Sequence, residues 1–202
     1  MKKGAKVVIS TVFSGKAIKV IIKNLKPDKI ILLVDDPIHD TKKATIDELK
    51  EKFKGIFDIE IMKTSLYDIP EIMKKVTKKI DEEYEKENEI ILHITEGRKI
   101  TSLALLFSGY ARRNKVSESY YVQEEDDKIL PLPVIVRFDI SNNKKKFLQQ
   151  IEKGVTDTDR IMKDLNIKQS AVYKYIKELK EEKYLEDMRE LKLTDIGRIV
   201  SI

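Results

Sequence analysis

The 202-residue chain has no cysteine, only two histidines, His39 and His93, and no apolar run long enough to span a bilayer. Without thiols there are neither disulfides nor thiolate metal sites, and two isolated histidines make no ligand pair, so no metal is expected. The basic start, MKKGAKVVIS, leads into only a few apolar residues with no cleavage signal, which fits a cytoplasmic protein with no membrane partner. The net charge of +5 is too modest to imply nucleic acid by itself, so the distribution of charge carries more information than its total. Internal repeats and low-complexity tracts are also missing.

What is present is an alternation. Apolar, β-rich runs at 6–10, 29–35, 59–64 and 89–95 are separated by amphipathic helical patterns at 15–25, 41–57, 69–86 and 98–114. Pro27, Asp40 before Thr41, and Asp68 supply breakers and caps. This alternation predicts right-handed βαβ crossovers and an α/β, Rossmann-like parallel sheet with strand order 3-2-1-4. Runs at 119–123 and 129–137 flank the acidic turn EEDDK and read as a hairpin on the sheet edge, where Pro131 and Pro133 are tolerated. Beyond Asp139 the strands nearly vanish and the polar stretch SNNKKK marks a boundary, giving domains of 1–140 and 141–202.

In such a sheet ligands collect at the carboxyl ends of strands 1 and 4. The loops there are STVFSGKA, from Ser10, and Thr95-Glu96-Gly97-Arg98-Lys99. The first is not a nucleoside-triphosphatase loop: that motif needs a glycine where Ser10 stands and a metal-binding hydroxyl where Ala17 stands. The dinucleotide fingerprint G-x-G-x-x-G is missing as well. Both loops run into helices, whose free N–H groups favour anions, and Ser, Thr, Gly, Arg and Lys add donors. The residues therefore suggest a two-loop anion cradle with Phe13 as an apolar or stacking element. Ser14 can equally serve as a helix cap, and His93 inside an apolar strand reads as a core residue rather than a catalyst.

The second loop, in the stretch HITEGRKITSLAL, resembles a characteristic motif of the CRISPR-associated Rossmann-fold (CARF) domain, and the resemblance extends over residues 1–138. It implies a homodimer that binds a cyclic oligoadenylate, often the tetra-adenylate, across its two-fold axis, as an effector rather than a cofactor. It assigns Thr11, Phe13, Ser14 and Gly15 from the first loop and Thr95, Gly97, Arg98 and Lys99 from the second to the ligand. Glu96 departs from the pattern, since many relatives carry glycine there. At the ligand it repels phosphate unless it points at an adenine amine or a ribose hydroxyl. The 98–114 helix is apolar on more than one side, through Ile100, Leu103, Leu105, Leu106, Phe107 and Tyr110, as expected of a helix that packs on the sheet and on a partner, or of one wholly buried in the core.

The C-terminal pattern is helix, helix, turn, helix and two short β-like pieces around Glu186 to Arg189, followed by a last helical turn capped by Thr194. That order describes a winged helix-turn-helix and resembles regulators of the MarR and ArsR kind over residues 144–202. A helix from Lys168 buried through Val172, Tyr175, Ile176 and Leu179 presents Gln169, Ser170, Tyr173, Lys174 and Lys177 to double-stranded DNA, a promoter or CRISPR leader. Arg189 sits at the expected wing tip. Glu178, Glu181 and Glu182 on the same helix also fit a plain solvated face. Together the two parts resemble the CARF and winged-helix transcription regulators of CRISPR systems. The alternatives are a ring nuclease that cleaves the cyclic ligand using Ser14, Lys16, Arg98 and Lys99 without a catalytic base, and a sensor of another nucleotide.

Overall fold

The computed structural model describes residues 4–132 and 140–202, and the chain divides into two compact units, residues 1–134 and 135–202. The first unit runs β1 (Lys6–Thr11), α1 (Lys16–Leu25), β2 (Lys29–Asp35), α2 (Asp40–Lys52), β3 (Asp58–Thr64), α3 (Ile69–Glu85), β4 (Glu89–His93), α4 (Lys99–Ala111), β5 (Glu118–Val122) and β6 (Ile129–Pro131). Its six strands pair in the order β3-β2-β1-β4-β5-β6. All neighbours are parallel except β5 and β6. The 3-2-1-4 order is the one expected, and the hairpin extends it at one edge. Pro131 lies on the outermost strand, where a missing N–H costs no ladder bond. The expected continuation of that strand toward Arg137 lies outside the described residues from position 133 on.

Strands β1, β2 and β4 bury Val7 to Ile9, Ile30 to Val34 and Ile90 to Leu92, continuous apolar runs of the kind a sheet covered on both faces selects. Helix α2 stops at Lys52 rather than at the expected Phe57. Gly55 takes φ +76° in the turn that follows. Phe53 and Phe57 then fold back at 5.2 Å ring separation and pack against the β1–β2 core. The helix also begins at Asp40, with His39 and not Asp40 as its N-cap. Asp68 does cap α3, accepting from the Glu71 amide.

The second unit holds α5 (Asn142–Glu152), α6 (Thr158–Leu165), α7 (Gln169–Glu181) and α8 (Asp195–Ser201). SNNKKK supplies the Ser141 cap and first turns of α5. Phe147, Leu148, Ile161, Val172, Leu179, Tyr184, Leu193 and Val200 form its core. The two β-like pieces reduce to one antiparallel bridge between Leu185 and Leu193, closed by Glu186 N–H donating to the Lys192 carbonyl at 2.9 Å. Between them stands a charged, exposed tip from Asp187 to Glu190 with little apolar surface to hold a longer ladder. Thr194 caps α8 as expected, accepting from the Gly197 amide at 3.1 Å.

Candidate functional site

Because β1 and β4 are adjacent and parallel, the loops that follow them meet at the carboxyl end of the sheet. Gly15 enters α1 at φ +73°, and a Cβ there would meet Thr45 Cγ2 at 2.8 Å. Helix α1 has no acidic residue in its first turn and no side-chain cap on its N-cap residue. The missing anion comes from the other loop. Glu96 is buried, and its Oε2 accepts from the amides of Phe13 and Gly15, both at 2.8 Å. Its Oε1 accepts from the Ala17 amide at 2.8 Å and the Ser14 hydroxyl at 3.1 Å. A carboxylate on the amides of a helix start is well matched to the helix dipole. Glu96, which departs from the family pattern, is thus directed at the first loop, and the amides expected to cradle phosphate donate to this carboxylate in the structure.

Beside this clasp lies a cavity of about 430 Å³. Phe13, Ser14, Lys16 and Ala17 line it from the first loop, and Thr95, Glu96 and Gly97 from the second. Val122, Gln123, Glu124 and Asp127 of the hairpin form the remaining wall. Thr95 Oγ1 accepts from the Val122 amide at 2.7 Å, which ties the second loop to β5. Lys16 reaches the hairpin tip, pairing with Asp127 at 3.0 Å and donating to the Glu124 carbonyl at 3.4 Å. Phe13, Ser14, Thr95, Glu96 and Gly97 are thus brought together as expected. The hairpin residues are not among those the sequence points to, although EEDDK reads as a turn, because nothing local in it says that β5 lies beside β4.

Thr11, Gly15, Arg98 and Lys99 do not line the cavity. Thr11 ends β1 fully buried, with a hydroxyl that has no hydrogen-bond partner. Arg98 turns to the opposite side, toward β2: its Nε donates to Asp35 Oδ2 at 3.4 Å and its NH1 to the Tyr67 hydroxyl at 3.3 Å. Lys99 opens α4, exposed. His93 is buried beside Ser10, with Nδ1 2.8 Å from the Ser10 hydroxyl, which itself donates to the Thr11 carbonyl. Burial pushes its pKa down to about 3, so the ring is neutral at physiological pH and sealed from the cavity.

In the second unit, Lys168, Gln169, Ser170, Tyr173, Lys174 and Lys177 all lie exposed at or along α7, while Val172 and Leu179 face the core. Lys174 and Lys177 face Glu178 and Glu181 across long i,i+4 pairs of 3.8 and 3.9 Å. Contacts of that kind in water hold a lysine only weakly. Arg189 is exposed at the tip between the bridged residues. Among the described residues no helix is long and apolar enough to cross a membrane, and no group of three or more acidic or histidine side chains is arranged to hold a metal.

A parallel 3-2-1-4 sheet with glycine-bearing loops at the carboxyl ends of its first and fourth strands defines a Rossmann-like α/β domain. The chain belongs to the family described as HFX_2341_N:-like, N-terminal, whose profile matches residues 8–127, more than half of its length. An uncharacterized protein of Archaeoglobus fulgidus is 22% identical over 135 residues, 63% of this chain and 60% of that protein. Among solved structures, Csm6 of Enterococcus italicus bound to cyclic hexa-2'-fluoro-hexa-dAMP has a TM-score of 0.54 at 13% identity, covering 89% of this chain and 55% of Csm6. Protein VC1899 of Vibrio cholerae has a TM-score of 0.52 at 10% identity, covering 97% of this chain and 64% of VC1899. The chain spans less than two thirds of each of these proteins. The likeness to the two structures is one of fold, the fold expected from the CARF resemblance.

Proposed function

We propose that the chain is a cytoplasmic, ligand-gated transcription regulator of a CRISPR system. Its first unit, as a homodimer, binds a cyclic oligoadenylate, with the tetra-adenylate as first candidate. Its second unit, a winged helix-turn-helix, binds double-stranded DNA at a promoter or CRISPR leader. The observation that carries this reading is the cavity built from both sequence-motif loops at the carboxyl ends of β1 and β4, where open α/β sheets take nucleotides. The similarly folded Enterococcus protein was solved bound to cyclic hexa-2'-fluoro-hexa-dAMP.

Two further features support the assembly. Leu103 and Phe107, four residues apart on α4, are exposed at 44% and 43%, while Ala104, Leu105 and Ser108 are buried. That leaves an apolar strip suited to a second copy. In the second unit the turn between α6 and α7 is made by Asn166 at φ +49°, and α7 holds its polar residues outward. Gating then requires only that the ligand bind the DNA-competent and DNA-incompetent states with different affinity.

A double Lys174→Ala, Lys177→Ala variant is expected to bind duplex DNA roughly tenfold more weakly, about equally across sequences, with a salt slope reduced by about two. A mobility-shift titration at several salt concentrations reads both numbers. Unchanged affinity removes α7 as the DNA-contacting face.

A further inference from the structure

With the first-loop amides held by Glu96 and Lys16 paired to Asp127, a phosphate at this end of the sheet needs another cation. Arg98 is the one the fold prepares. Asp35, at the end of β2 and only 2% exposed, accepts from the Lys42 ammonium at 2.5 Å and from Arg98 Nε at 3.4 Å with the same oxygen. Its other oxygen is buried without a partner. The neighbouring Asp36 is directed to Lys63 at 3.5 Å. Lys42 alone already matches the single formal charge of Asp35, so the guanidinium is oriented by the carboxylate while its own charge is left over. Its side chain is 44% exposed, and the adjacent Lys99 has no ion-pair partner among the described residues.

Tyr67, in the β3–α3 loop, completes the arrangement. Its ring is 5.6 Å from the Arg98 guanidinium carbon, its hydroxyl accepts from Arg98 NH1, and it is 66% exposed. A large aromatic ring kept in water beside an oriented guanidinium matches what a nucleotide needs: a flat face for a base and a forked donor for a phosphate. Asp35 and Lys42 are both buried beneath it, so that removing either would leave an uncompensated buried charge.

We propose that Arg98 and Tyr67 form a mononucleotide subsite, with the guanidinium on the phosphate and the phenol ring stacked on the base. Asp35 and Lys42 act as positioning residues beneath it. The subsite deepens the nucleotide reading above, yet it is tested apart from any cyclic ligand. The probes are AMP and ribose 5-phosphate, which carries an anomeric hydroxyl in place of the base, titrated into the full-length protein with the Arg98 Nε–H resonance as the local reporter. Wild type should bind AMP about tenfold more tightly than ribose 5-phosphate. Tyr67→Ala should bring the two affinities to equality, Tyr67→Phe should keep the difference, and Arg98→Ala should weaken both. Equal affinities in wild type, a preference for AMP that survives Tyr67→Ala, or no shift at Arg98 overturns the subsite. Each outcome is independent of whether the protein binds cyclic tetra-adenylate, so the two readings fail separately.

Discussion

Glu96→Ala is expected to lower the unfolding free energy by about 3 kcal/mol, because hydrogen bonds to a charged group are worth roughly 1.5–3 kcal/mol and buried donors left unpaired add to the loss. The carboxylate accepts from three backbone amides and one hydroxyl, and all of them lie about 80 residues earlier in the chain. Its removal therefore frees the start of α1 and separates the two loops together. Glu96→Gln should also destabilise, since an amide keeps one acceptor oxygen but turns an N–H₂ against the remaining N–H donors. Urea unfolding curves give both values. Inorganic phosphate should then raise the stability of the alanine variant more than that of wild type, because the vacated amides regain an anion. A loss below about 1 kcal/mol for alanine would contradict the clasp.

Acid is the second large lever, through His93. Its pKa is pushed from 6.5 to about 3 by burial. The unfolded chain takes up a proton as pH falls below 6.5, while the native ring refuses one until about 3, so stability falls with pH across that window. At about 1.4 kcal/mol per unit, roughly 3 kcal/mol is lost by pH 4. Glu83 also makes the fold acid-sensitive. Burial alone would raise its pKa, but Lys29, Asn88 and Lys86 hold it down to about 2. Its contribution is present above its usual 4.5 and lost as pH falls through 2, so it begins only at the lower end of the His93 window. Comparing wild type with His93→Asn between pH 7 and pH 4 cancels Glu83 and isolates His93. The variant should lose about 3 kcal/mol less over that interval, and identical pH profiles would contradict a buried neutral ring.

What could be read from the sequence follows from how local each signal is. The parallel sheet is legible in the alternation of apolar runs and amphipathic segments, because parallel strands need helical crossovers, and 3-2-1-4 is the usual order of such a sheet. The two loops were found for the same reason, as they follow strands whose places were fixed. The partner of Glu96 was not legible: its contacts with Phe13 and Ala17 span 83 and 79 positions, and an isolated glutamate in a glycine loop looks like a ligand contact or a repulsion. Arg98 shows the same limit. Whether it faces the cavity or Asp35 depends on which neighbouring strand end offers the stronger counter-charge, and that is a property of the assembled sheet. The helical pattern of α2 runs on to Phe57 in the sequence because Phe53 and Phe57 fit a helical period, while in the structure Gly55 between them takes a turn.

The central claim is that the first unit holds a cyclic oligoadenylate between two copies of the chain. Isothermal titration calorimetry of the full-length protein with cyclic tri-, tetra- and hexa-adenylate tests it most directly. The account predicts saturable binding, best for the tetra-adenylate, at one ring per two chains. The absence of binding to all three rings would contradict it.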